Sequence, residues 1–232
     1  MKINLSSPNP ALQRIFNKPD QIITLDANFL IPPERSKLVK YSFRFEIFKS
    51  IWLDPIFNSF PNLAIHEAVY NELVAPSVKA YADANINSNP KKLIIHRDSS
   101  LTLEEQGLRN TIEGKIYPLT NYDPNLNNKD DRGEVKSLAY IAVKGLIYFA
   151  AHDSNAILLI EKSGELSTGL DNVQAIKMYE LIYYLYAKEK SDKKSLKMLY
   201  KYQYYLTRYE KEQNPEWGKF IEVMNDLYST NK

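Results

Sequence analysis

The 232-residue chain contains no cysteine, only three histidines and only seven glycines. The first absence excludes thiolate nucleophiles, iron–sulfur clusters, cysteine-ligated zinc and disulfide frameworks. With His66, His96 and His152 as the only imidazoles, any metal would be held mainly by carboxylates. The few glycines form no phosphate-cradling loop, which argues against NTP hydrolysis on a P-loop. Long apolar runs are also missing: residues 146–151 and 156–160 fall far short of the ~20 needed to cross a bilayer, so no membrane partner is expected. Met1, Lys2 and Ile3 lead into Ser, Pro and Asn rather than an apolar core with a cleavage site, so no secretory signal is visible and a cytoplasmic location is expected.

What is present is ordinary for a globular protein: 44% hydrophobic and 25% charged residues, with a net charge of +2. The charge is unevenly placed. Residues 177–211 hold nine basic and four acidic side chains, or +5, leaving 21 basic and 24 acidic ones, or −3, for the rest. Nine of the 17 tyrosines share that segment with the lysines. Rings beside cations can stack bases and neutralise phosphates. The same tyrosines, with Leu181, Leu185, Leu196, Leu199 and Leu206, also recur at helical spacings, and packing is the expected role for most of them. A turn at 190–192, with Ser191 or Asp192 as N-cap, separates two helices, and a further helix is expected from about Pro215 towards Tyr228.

Along the chain, residues 21–25 read as the first strand, ended by Asp26, after a polar, weakly patterned N-terminal segment. Leu38, Tyr41, Phe45, Phe48 and Trp52 predict a helix within 35–60. A short strand at 63–65 precedes helical spacing up to Pro76. Residues 93–96 read as a strand, 103–113 as a helix and 119–130 as a loop. A helix over 135–144, closed by Gly145, precedes a strand at 147–151. This alternation predicts an α/β fold with a central, mostly parallel sheet, whose ligands collect beyond the carboxyl ends of the strands. The expected division is one main domain over 1–190, including a polar segment at 1–20, and a basic helical extension over 191–232.

Four acids occupy notable positions: Asp26 after a strand, Glu72 in a helix, Asp131 at a helix start and Asp153 after a strand. Acids gathered from distant sequence raise one another's pKa unless a cation joins them, and hard cations such as Mg²⁺ or Mn²⁺ take oxygen ligands. Each acid also has a plain structural use. Asp26 can close an Asx turn, Asp131 and Glu134 can form a capping box, and Asp153 can cap a helix. Glu67 lies five positions before Glu72, about 140° round a helix, so the two cannot both face one site.

The ordered set I23-T-L-D26-A-N28, V69-Y-N-E72-L, D131-R-G-E134-V and F149-A-A-H-D153-S-N155 resembles the PIN-domain nucleases from about residue 21 to about 185. The resemblance implies a three-layer α/β/α sandwich, with Asp26, Glu72, Asp131 and Asp153 as metal-binding catalytic acids. Asn28, Glu134 and Asn155 match supporting positions. It implies a Mg²⁺- or Mn²⁺-dependent endoribonuclease that leaves 5′-phosphate and 3′-hydroxyl ends. Many relatives are toxins of toxin–antitoxin pairs, which makes an antitoxin protein and a second copy of this chain candidate partners beside the RNA substrate. Asn155, where some members carry an acid, keeps open a non-catalytic RNA- or protein-binding module. A phosphatase with Asp26 as nucleophile is disfavoured because Asn28 replaces the second acid of an Asp-x-Asp pair.

Overall fold

A computed structural model describes residues 2–38, 43–126, 128–152 and 154–229. The fold is α/β, with a five-stranded parallel sheet flanked by helices. In chain order the first elements are α1 (Pro10–Asn17), β1 (Ile23–Leu25), α2 (Phe45–Phe48), a π-helical turn at Lys49–Leu53, and α3 (Asp54–Ser59). These are followed by β2 (Leu63–His66), α4 (Glu67–Glu72), α5 (Pro76–Ile86), β3 (Leu93–His96) and α6 (Leu103–Ile116). Next come α7 (Arg132–Val143), β4 (Tyr148–Ala151), α8 (Ser154–Glu161), α9 (Ser163–Leu166) and β5 (Gln174–Lys177). The chain closes with α10 (Met178–Ala187), α11 (Lys193–Tyr204), α12 (Arg208–Gln213) and α13 (Trp217–Leu227).

The strand order is β3-β2-β1-β4-β5. All three residues of β1 are buried, as a strand covered on both faces requires. Ile23 pairs in parallel with Leu63 on one side and with Tyr148 on the other. The chain moves outward from β1 through β2 to β3, then returns to the opposite side of β1 for β4 and β5. Winding therefore reverses beside β1, and such a reversal opens a crevice at the carboxyl ends of the strands.

The chain divides into two compact units, differently from the boundary at residue 190 expected above. One comprises Ile22–Ile31 and Asn62–Ala175; the other comprises the described residues within Met1–Gln21, Pro32–Pro61 and Ile176–Lys232. The physical reason lies in the second unit's own core. Phe16 on α1 packs against Tyr184 with ring centroids 5.0 Å apart, Phe60 packs against the same ring, and Phe43 meets Tyr202. The Asn9 amide Nδ2 donates to the buried Glu180 carboxylate at 2.9 Å, and the backbone N–H of Ile3 donates to Asn214 Oδ1 at 2.8 Å. The polar N-terminal segment hides α1, whose apolar face carries Ala11, Leu12, Ile15 and Phe16. Tyr179, Tyr183, Tyr184, Tyr200, Tyr202 and Tyr204 are all buried, so packing accounts for most of the tyrosines of this segment.

Other elements refine the sequence reading. Pro76 begins α5 at its first turn instead of merely ending a helix, a position where its missing N–H is harmless. The segment expected as one helix over 35–60 is interrupted, with Leu38 in a turn, Tyr41 outside the described residues, and a π-helical turn before Pro55. Asp192 is the N-cap of α11 and accepts from the Ser195 N–H at 2.8 Å. Gly145 follows α7 with φ +63°, the left-handed conformation a helix C-terminus favours.

Within the first unit, His96 is paired in register with His66 across β2 and β3. Its Nε2 lies 3.1 Å from Thr24 Oγ1 and its ring stacks on Tyr140 with centroids 4.8 Å apart. Burial, assisted by the neighbouring His66, pushes the His96 imidazole down from 6.5 to about 4. The unfolded chain therefore binds an extra proton between those values, so this contribution to stability is complete above pH 6.5 and is lost as pH falls towards 4. Thermal or denaturant melts should show a loss of about 2 kcal/mol between pH 6.5 and 5 attributable to this group. His96→Gln should flatten the dependence, and an equally steep profile in that variant would contradict the assignment.

Candidate functional site

The site is built where winding reverses. Strand β1 ends at Leu25, and the next residue, Asp26, still donates its backbone N–H to Ala150 of β4 at 3.0 Å. Asp26 is only 4% exposed; its carboxylate accepts from Asn28 Nδ2 at 2.9 Å and, from the Asn28 backbone N–H, caps a 3₁₀ turn at Ala27–Phe29. The Asx-type role foreseen for Asp26 is therefore real, and the same carboxylate lines an open cleft of about 230 Å³. That cleft is lined by Asp26, Asn28, Glu72, Asp131, Gly133 and Glu134, together with Ala27 and Ile31.

Glu72 enters from the last turn of α4. Its Oε1 accepts from the Gly133 N–H at 2.9 Å. Glu67, five positions earlier, points elsewhere: its Oε1 accepts from the Asp98 N–H at 2.8 Å. The two carboxylates thus point to different places, as five positions along a helix require. Burial, reinforced by the charges of Asp26 and Asp131 and opposed by the Gly133 hydrogen bond and the Arg132 charge, pushes the Glu72 carboxyl up to about 7.

Asp131 precedes α7 with φ 53°, a left-handed backbone that Asp tolerates better than most residues. Its side chain makes no helix-capping hydrogen bond; Oδ2 accepts from the backbone N–H of Asn121 at 2.9 Å and from Asn121 Nδ2 at 3.0 Å. The capping-box alternative for Asp131 and Glu134 is therefore not what these residues form. Glu134 is buried at 5% exposure on the first turn of α7. Asp153 lies outside the described residues. Asn155, half-buried in the first turn of α8, does not line the cleft.

Two contributors were not singled out from sequence. Gly133 matters through what it lacks, because a Cβ there would sit 2.7 Å from Glu72 Oε1 and 2.8 Å from Oε2. A glycine placed between Asp131 and Glu134 at the start of an apolar helix was a usable signal, since helices normally avoid glycine. Asn121 lies in an Asn- and Asp-rich loop where nothing distinguishes it from its neighbours.

The donor set is all oxygen, which suits a hard divalent cation. No three carboxylates of the cleft, among the described residues, bring ligand atoms within 4.8 Å of one another. Mg²⁺ commonly uses one or two carboxylates and keeps several waters, so an open cleft with separated acids is compatible with it. The group that does meet that spacing is His66, Glu67 and Asp98. Its atoms are already engaged: His66 Nδ1 accepts from the Ala68 N–H at 3.1 Å, Nε2 lies 3.2 Å from Asp98 Oδ1, and Arg109 Nη2 donates to Asp98 Oδ2 at 2.8 Å. Burial would raise the Asp98 carboxyl, but the His66 hydrogen bond and the charges of His66 and Arg109 outweigh it and hold the group low. With a guanidinium beside it, this cluster is a structural ion network.

Comparison of the chain with protein-family models, with curated proteins and with solved structures returns no match in any of them.

Gly133→Ala tests the geometry of the cleft. The clash falls on the movable end of a side chain, and alanine favours the helix, so stability should change by no more than about 1 kcal/mol. The Glu72 carboxyl should leave its half-dry position, and its titration, followed by carboxyl-carbon NMR, should move from about 7 towards the ordinary 4.5. An unchanged titration would show that Gly133 does not set the position of this carboxylate.

Proposed function

We propose that the protein is a divalent-metal-dependent endoribonuclease of the PIN type, hydrolysing RNA phosphodiester bonds. The observation that carries this reading is the convergence of Asp26, Glu72, Asp131 and Glu134, from three separate chain segments, on one cleft at the carboxyl end of β1. The motif order that resembles the family and the parallel sheet with its winding reversal at that point support the same reading.

When bound, Mg²⁺ or Mn²⁺ supplies a Lewis acid for a phosphoryl oxygen and lowers the pKa of a water. Asp26 and Asp131 would hold the ion, with Asp153 as the third acid implied by the resemblance. Asn28 steadies the Asp26 carboxylate through its amide, and Asn121 does the same for Asp131 through two N–H groups. Gly133 fixes one oxygen of Glu72, leaving Oε2 without a protein hydrogen bond among the described residues to accept from the attacking water and orient it. Glu134, buried at the cleft wall, would supply a further oxygen beside the ion.

Asp26→Asn and Glu72→Gln should each lower the rate of metal-dependent RNA cleavage at least ~100-fold while the melting temperature is kept, and EDTA should abolish cleavage by the parent protein. Cleavage that persists in EDTA, or a variant that cuts at the parent rate, defeats the proposal. The separation of the described carboxylates favours one second reading, a binding module without catalysis. RNA binding with neither metal binding nor cleavage would decide for it.

A further inference from the structure

The second unit contains a cavity of about 470 Å³ that the cleavage chemistry does not use. It is lined by Lys194, Lys197, Lys201 and Lys211 around Met198, Tyr205, Leu206 and the buried Tyr202. The four lysines are exposed, and none forms an ion pair with a carboxylate among the described residues. The acids nearby are engaged elsewhere. Asp192 caps α11, Glu189 pairs with Lys193, Glu210 pairs with Arg35, and Glu212 pairs with Arg208. The cavity therefore carries an excess of positive charge, offset at Lys194 by the nearby Asp192 carboxylate, over an aromatic and apolar floor.

We infer that this cavity is a binding site for the sugar-phosphate backbone of single-stranded RNA, with Tyr205 offering a stacking face for a base. Lys194, Lys197 and Lys201 follow i, i+3, i+7 spacing along one face of α11, a span of about 10 Å. Each strand of a duplex carries one phosphate per about 3.4 Å of rise and an extended single strand spaces them more widely, so about two or three phosphates fall within that span. Tyr205 is half-buried, with Lys211 Nζ 5.9 Å from its ring centroid, and a ring framed by cations is the arrangement that single-strand sites use. The cations are lysines rather than arginines. Ammonium groups on flexible stems follow a backbone without a fixed bidentate geometry, whereas docking of a carboxylate-bearing protein segment is better served by Arg.

The inference rests on the nuclease reading for its choice of RNA, yet binding is measurable without cleavage. The full chain, in EDTA, is titrated into a short fluorescein-labelled oligouridine, and anisotropy is read between about 50 and 200 mM salt. Lys197→Glu combined with Lys201→Glu should weaken binding at least ~10-fold and flatten the log–log salt slope by about 1.4, the loss of two phosphate contacts on a single strand. Tyr205→Leu should weaken binding about fivefold or more with the salt slope unchanged. Lys219→Glu, on α13, should leave both unchanged. Circular dichroism melts check that each variant is folded. Equal affinity and slope in the double variant, an equal loss in the Lys219 variant, or displacement of the RNA by polyglutamate as readily as by unlabelled oligouridine would each overturn the inference. If the parent cleaves RNA while the lysine variants bind normally, this site fails and the nuclease stands. If the lysine variants lose RNA binding while the parent never cleaves, this site stands and the nuclease fails.

Discussion

Four carboxylates in one partly dehydrated cleft repel each other, and the surrounding structure is arranged to make that arrangement tolerable. Neutral donors steady three of these acids: Asn28 holds Asp26, Asn121 holds Asp131, and the Gly133 N–H holds Glu72. Neutral donors hold an acid in place without cancelling its charge, and the Arg132 charge offsets only part of what burial and the neighbouring acids do to Glu72. Glu72, pushed up to about 7, shows where the remaining repulsion and dehydration are concentrated. A site of this kind favours a cation by its standing charge and leaves room for waters around it.

The sheet supplies the fixed frame for those acids. Strand β1 is only three residues long, but it is paired on both sides, so the backbone that delivers Asp26 cannot slide. On the β2–β3 side, the layer of His66, His96 and Tyr140 and the network joining Asp98 to Arg109 form a packed, hydrogen-bonded wall. Arg109 also pairs with Glu113 on the same helix, and Lys136 reaches Glu113 at 3.3 Å, which ties α6 to α7. Because α7 begins with Asp131 and carries Gly133 and Glu134, that tie also fixes the floor of the cleft.

The second unit depends on a different balance. Its core is dominated by aromatic rings, with Phe16 against Tyr183, Tyr184 and Tyr228, and Tyr183 against Tyr228. Burial pushes the Tyr183 hydroxyl up to about 12, so this ring stays neutral at any physiological pH. Tyr228 accepts the Asn9 N–H, and Tyr200 donates to the Pro215 carbonyl at 2.6 Å. Rings that bury their bodies and satisfy their hydroxyls make a core from residues that composition alone also permits at a nucleic-acid surface. Tyr205, left half-buried among lysines, is the ring for which a surface use is proposed.

The alternation of β-prone runs with helical spacings was legible in the chain, because a parallel sheet covered on both faces demands continuous short apolar strands separated by amphipathic helices. Asp26, immediately after the first such run, was legible for the same reason; 3.6 residues per turn showed that Glu67 and Glu72 cannot share a site, while the choice of Glu72 came from the family resemblance, through the Leu73 that follows it. The division into units was not legible, since α1 lies in a polar segment and the partners of α10 come from residues far away in the chain. Nor could local pattern tell whether Asp131 caps its helix or accepts from Asn121, because both uses require the same residue at the same place. Sequence determined which side chains stand at the ends of strands and on the faces of helices, through local periodicity. Tertiary structure alone decided which of them meet, because a cleft is formed by segments whose separation along the chain carries no information about their distance in space.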